Sequence, residues 1–149
     1  MLKSLYSKAL QLLAKKEYSK NELYVKLQKY SCNLDDINVV IGKLEEQQYL
    51  SDARYVELYI NSRKNKYGKS RLQYELQRKG IDGAIISDQI SNIDTTHQID
   101  AAYQYIIKKY GTSIPPDLRN KVARSLFYRG FSHHIVSEVF HRLSMIDDC

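Results

Sequence analysis

The side chains with the most chemistry to offer are cations. Between Arg63 and Lys79 there are seven basic residues and one acid, and between Lys108 and Arg129 six and one. Ammonium and guanidinium groups at this density attract phosphates or carboxylates. On a longer scale the charge is even. Residues 1–50, 51–94 and 95–149 each carry two more bases than acids, sharing the net +6. Other chemistries find less material. His133, His134 and His141 come closest to a metal set, with His134 and His141 two turns apart on one helix face. They read as solvated or helix-terminal imidazoles rather than metal ligands. The acidic pairs Asp35-Asp36 and Glu45-Glu46 fall at helix ends or on exposed faces, where capping and solubility explain them. The six glycines are scattered among helix ends and loops, without the spacing of a phosphate-binding loop. No catalytic residue, metal or cofactor is expected.

Composition narrows the class. Six Gly and two Pro are too few for the turns of an all-β protein, and Leu, Lys, Gln and Glu favour helices. No apolar run approaches the roughly 18 residues of a membrane span. Lys8, Lys15 and Lys16 confine the apolar run Leu10–Ala14 to less than a signal peptide needs, so a cytoplasmic protein is expected. Cys32 and Cys149 suit a reducing compartment, one as a core thiol and one as a chain-end thiol. The thirteen tyrosines belong at the edge of a helical core, hydroxyl in water.

An internal repeat of about 50 residues organises these elements. Leu23, Leu72 and Val122 share a column, as do Leu27, Leu76 and Leu126. Cys32, Ile81 and Phe131 follow, then Ile37, Ile86 and Val136, then Ile41, Ile90 and Phe140, then Leu44, Ile93 and Leu143. Gly80 and Gly130 occupy one column, with Ser31 in the first unit. Glycine just past a helix takes the left-handed conformation that ends it. Arg78, Lys79 and Arg129 precede those glycines, where the helix dipole alone would favour a cation.

Each unit reads as three helices. In the first, Leu5, Ala9, Leu12 and Leu13 give helical spacing over about residues 4–16. Ser19 and Glu22 form a capping box for the second, and Asn33 or Asp35 opens the third. In the middle unit Ser51 caps a helix through Tyr55 and Tyr59. A loop around Asn65–Gly68 leads to the helix of Leu72 and Leu76, and Ile86, Ile90 and Ile93 mark the next. In the last unit Thr95 with Gln98 is expected to cap a helix through Ile106. The loop Gly111–Pro116 precedes a second helix, and Ser132 opens the last; Asp147 and Asp148 fall in a frayed tail. The expected fold is all-α, an elongated, curved array of three tandem three-helix repeats (about nine helices), at 1–50, 51–94 and 95–149. Such an array completes its core without a second subunit, so a monomer is expected.

The middle of the chain reads Tyr49-Leu50-Ser51-Asp52-Ala53-Arg54-Tyr55, then Tyr59-Ile60-Asn61-Ser62-Arg63, then Gly68-Lys69-Ser70-Arg71-Leu72, Glu75-Leu76 and Lys79-Gly80-Ile81. This resembles the signature of the RecX family. Arg129-Gly130-Phe131 is similar to that family's arginine–glycine–phenylalanine before its last helix. The likeness covers nearly the whole chain; Ser51 and Ser31 depart from it, where the family often has an acid and a glycine.

The resemblance implies a regulator of RecA-type recombinases, bound along the groove of the recombinase–DNA filament. It would lower strand exchange, ATP hydrolysis and coprotease activity. On that reading Arg54, Arg63, Lys64, Lys69, Arg71, Arg78 and Lys79 form the main contact surface for filament and DNA, extended by Arg119, Lys121, Arg124 and Arg129. Lys69 and Arg119 share a repeat column, as do Arg71 and Lys121, so one face can repeat its charge. Tyr67 and Tyr74 can reach bases or pack. Two other readings stand beside it: a sequence-nonspecific DNA-binding helical array without recombinase contact, and a helical adaptor for another acidic protein. About five phosphate contacts would give a log–log salt slope near −4.5 for the DNA-binding array.

Overall fold

The computed structural model describes residues 2–147. Among them are nine α-helices and no strand. They are α1 (Leu2–Lys15), α2 (Lys20–Leu27), α3 (Leu34–Glu46), α4 (Asp52–Arg63), α5 (Lys69–Arg78), α6 (Gly83–Ser91), α7 (Thr95–Tyr110), α8 (Arg119–Tyr128) and α9 (His133–Asp147). A 3-10 turn at Pro116–Leu118, with Pro at its start, leads into α8. No described helix is long and apolar enough to cross a membrane. Asp147 is still helical, and Asp148 and Cys149 lie outside the described residues.

The chain divides into two compact units, Met1–Leu58 with Leu76–Ile86, and Tyr59–Glu75 with Ser87–Cys149. The middle three-helix repeat therefore contributes to both. In the first unit α1, α2 and α3 pack on one another around Leu5, Ala9, Leu12, Leu23, Leu27, Ile37, Ile41 and Leu44. In the second, α7 and α8 pack on α9 around Ala102, Ile106, Val122, Leu126, Phe131, Val136 and Leu143.

The repeat columns are core columns, with two exceptions. Cys32 is exposed and Phe140 is half-buried. Cys32 is thus not the core thiol its column suggested, and the helix end before it explains why. After α8, Gly130 stands at φ 94°. Its N–H donates to the Phe127 carbonyl at 2.9 Å, and the Phe131 N–H to the Leu126 carbonyl at 3.1 Å. This is a Schellman closure, which tucks the residue after glycine against the helix. Phe131 is accordingly buried, as is Ile81 after Gly80 at φ 78°. Ser31 has no such conformation; its N–H donates to Leu27 at 3.2 Å, and Cys32 stays outside.

The capping box of α2 is complete, with Ser19 and Glu22 each bonding the other's backbone. Asn33 caps α3, and the Arg54 N–H donates to Ser51 Oγ at 3.2 Å. Helix α7 differs from expectation. Its cap is Asp94, whose carboxylate accepts the Thr96 N–H at 3.2 Å. Gln98 is buried instead, and its Oε1 accepts the Lys69 N–H at 3.2 Å, satisfying one open donor at the start of α5.

Helix α3 ends in the same closure as α8 but without glycine. Gln48 stands at φ 64°, and the Tyr49 N–H donates to the Leu44 carbonyl at 3.0 Å. Left-handed backbone costs a residue with a Cβ roughly 1 kcal/mol. Gln48→Gly is therefore expected to stabilise the protein by about 1 kcal/mol, read as a rise in the denaturant midpoint at constant slope.

Candidate functional site

In the second unit the start of α5 meets the end of α8 backbone to backbone. The Gly68 N–H donates to the Arg129 carbonyl at 2.8 Å, and the Ser70 N–H to the Gly130 carbonyl at 3.3 Å. A Cβ on Gly68 would fall well inside van der Waals distance of the Gly130 carbonyl. One on Gly130 would lie 2.5 Å from the Arg71 backbone nitrogen. The Gly68-Lys69-Ser70-Arg71 and Arg129-Gly130-Phe131 runs are the two halves of one crossing.

Cations and tyrosines alternate across this junction. The Arg63 guanidinium lies 3.9 Å from the Tyr59 ring centroid. Tyr59 donates its hydroxyl proton to Glu75, which also accepts from Arg71 Nε at 3.1 Å. Arg71 in turn lies over Tyr67 at 4.3 Å and near Tyr128 at 5.3 Å. Arg129 covers Tyr105 at 3.8 Å, approaches Tyr67 at 5.4 Å and donates to the Lys66 carbonyl at 3.0 Å. Lys109 Nζ donates to the Tyr105 hydroxyl at 3.3 Å. A guanidinium over a ring face keeps its charge while its plane is held.

The ionisations follow. The Tyr59 hydroxyl is pushed up to about 12 by burial and by its bond to Glu75. The Tyr59 hydroxyl, together with Arg71, holds the Glu75 carboxyl below its ordinary value against the opposing effect of burial. Glu75 raises the Arg71 guanidinium further. Burial works to raise the Tyr105 phenol, but Arg129 and Lys109 outweigh it and draw it down. Glu75 is thus neutralised locally, and it is the one acid between Arg63 and Lys79. The surface around it is net positive at every pH near neutrality.

Arg63, Lys64, Lys69, Arg71, Arg119, Lys121, Arg124 and Arg129 belong to this second unit. Lys64, Lys69, Lys121 and Arg124 form no ion pair with the described residues, and Lys121 and Arg124 are exposed on α8. Arg119 sits 5.6 Å from the Phe140 ring. Arg54, Arg78 and Lys79 belong to the first unit. Arg54 is committed within it. Its Nε pairs with Glu17 at 2.8 Å, and its two terminal nitrogens each donate at 3.0 Å, one to the Gln48 and the other to the Tyr49 carbonyl. It thereby closes the end of α3 that lacks glycine. Arg78 is exposed; the Lys79 carbonyl accepts from Asn21 Nδ2 at 3.4 Å. Tyr59, Tyr105, Tyr128 and Lys109 join the site in the structure. Their signal is faint: Tyr59–Arg63 and Tyr105–Lys109 are one helical turn apart.

Three family models match in order along the chain: the first three-helix domain of RecX at residues 6–44, the second at 51–88 and the third at 97–140. The regulatory protein RecX of Acinetobacter baylyi is 41% identical over 143 residues, covering 93% of this chain and 87% of that protein. This chain belongs to the RecX family. The regulatory protein RecX of Herbaspirillum seropedicae is 34% identical over 147 residues, covering 97% and 94%. The crystal structure of RecX from Lactobacillus salivarius superposes with a TM-score of 0.86 over 97% of both chains at 24% identity, which shows the shared fold, an all-α tandem array of three-helix domains. RecX membership makes this a chain of a regulatory protein family. It also gives the Gly68–Gly130 crossing a place, between the second and third RecX domains' matched segments.

Proposed function

We propose that this chain is a non-enzymatic, cytoplasmic and monomeric regulator that binds a RecA-type recombinase–DNA filament. It lowers the filament's strand-exchange, ATP-hydrolysis and coprotease activities and so modulates recombination and repair. RecX membership supports the role. The observation that carries the surface is the cation–tyrosine array around the crossing of α5 and α8, whose single acid is paired from within. A filament presents acidic protein surface and DNA phosphates side by side, and unpaired cations at the second helices of repeats suit both. Lys64, Lys69, Lys121, Arg124 and Arg119 make the contact on this reading. Arg63, Arg71 and Arg129 combine contact with holding the tyrosines, Arg54 holds the fold, and Arg78 and Lys79 are further contact cations of the first unit.

The test is ATP hydrolysis by a recombinase on excess single-stranded DNA, with this protein titrated far below the recombinase concentration. Inhibition is expected there, and it would place the target on the filament, because too little protein is present to mask the DNA. If ATP hydrolysis is unaffected while the protein binds DNA in a salt-sensitive way, the reading fails and the plain DNA-binding array replaces it.

A further inference from the structure

The second helices of the last two repeats carry matching stripes. On α5, Arg71, Tyr74 and Arg78 follow at helical spacing i, i+3, i+7; on α8, Lys121, Arg124 and Tyr128 occupy the same repeat columns. Each stripe is two cations and one tyrosine. The corresponding positions in the first repeat are Glu22 and Val25 on α2 and Lys29 beyond its end, so the first repeat lacks the stripe. Both tyrosines are exposed, Tyr74 at 59% and Tyr128 at 78%. A ring as open as that of Tyr128 can cover another flat apolar surface.

Its neighbours say what kind of surface. The Arg71 guanidinium lies 5.3 Å from the Tyr128 ring, and Lys121 and Arg124 share the ring's own helix face. From Lys121 to Tyr128 is about 10 Å along the axis, the length of about three stacked nucleotides at ~3.4 Å each. Cations spaced along a strand with an exposed aromatic at one end are the parts of a single-strand binding surface, phosphates on the charges and a base on the ring. A duplex offers phosphates but keeps its base faces stacked. An acidic protein segment would use the cations and leave the ring idle.

Resting on the surface proposed above and refining it, we infer that Tyr128 stacks on an unpaired base of a single DNA strand whose phosphates lie on Lys121 and Arg124, with Tyr74 as its counterpart on α5. The site therefore prefers unpaired to paired DNA. Tyr128 is a binding residue here, and Arg71 positions its ring.

Fluorescence anisotropy with a labelled oligothymidylate and with a labelled duplex of equal length, full-length protein and no recombinase, tests it. Tyr128→Ala should weaken the single strand by roughly 5- to 100-fold while changing duplex binding less than twofold, about the range for loss of one stacked base. Tyr128→Phe should bind the single strand within about twofold of the parent, since a base stacks on either ring. The salt slope for Tyr128→Ala should stay that of the parent, because no phosphate contact is lost, whereas Lys121→Ala should flatten it by about 0.7. Circular dichroism should show all three variants folded, as both side chains are at the surface. Equal losses for single strand and duplex, an unchanged affinity of Tyr128→Ala, or no measurable binding of the oligothymidylate by the parent would each overturn the inference. Since no recombinase is present, such a failure leaves the ATP-hydrolysis result to judge the regulator reading by itself.

Discussion

Gly130→Ala is expected to lower the stability of the protein by about 3–5 kcal/mol. Two costs add at this position. The backbone stands at φ 94°, where a Cβ is strained by roughly 1–3 kcal/mol. The new methyl would also lie 2.5 Å from both the backbone nitrogen and the Cβ of Arg71, and 3.0 Å from its Cα. Those atoms open a helix whose first N–H groups are held by Gly130 and Gln98, so they yield only by moving α5. Gly68→Ala shares the steric cost without the left-handed strain. Its Cβ meets the Gly130 carbonyl and the Phe131 nitrogen, which are engaged in the turn that ends α8. It should destabilise by about 2–3 kcal/mol. Thermal and denaturant unfolding measure both, and at roughly 4 °C per kcal/mol the Gly130 change should lower the midpoint by about 12–20 °C. A Gly130→Ala protein within about 1 kcal/mol of the parent would mean that α5 and α8 do not meet at this distance.

What the sequence showed well were signals that live within one helix turn. The capping box of Ser19 and Glu22, the Asn33 cap and the glycine endings at Gly80 and Gly130 each depend on residues three to six positions apart, and all are present. The core columns were legible for the same reason, since a residue's face on a helix follows from its spacing alone. What stayed hidden depends on partners remote in sequence. Arg54 reads as one more surface cation, yet Glu17 from the loop after α1 and the carbonyls of Gln48 and Tyr49 occupy its guanidinium. That occupation goes with an α3 ending in which glutamine takes a glycine's conformation, so neither half is visible without the other. Gln98 read as half of a capping box because glutamine at that spacing commonly is; the open N–H of Lys69 took it instead. Gly68 stands in the family signature, but its reason lies in the approach of Gly130, which forbids it a side chain. The basic run itself was plain, but its division into cations that hold tyrosines and cations left open needed coordinates.

That division decides which charges to reverse. Arg71 stands beside Glu75 and over Tyr67, so Arg71→Glu would set two carboxylates one turn apart and uncover a ring. A loss of function there would not separate binding from folding. Lys121 and Arg124 are exposed, form no ion pair with the described residues and sit on one face of α8. Lys121→Glu with Arg124→Glu is expected to raise the concentration needed for half-inhibition of recombinase ATP hydrolysis by about 25-fold at 0.1 M salt, the effect of two lost single-strand phosphate contacts. The slope of log affinity against log salt should become shallower by about 1.4. Helical content and the unfolding midpoint should stay at the parent's values, because neither side chain supports the core. Inhibition that survives the double reversal at parent strength would move the contact surface off α8, leaving α5 and the first unit's Arg78 and Lys79 to account for it. A loss of inhibition with the parent's salt slope retained would instead place Lys121 and Arg124 against acidic side chains of the recombinase, since carboxylates on a protein release no condensed counterions of the kind DNA carries.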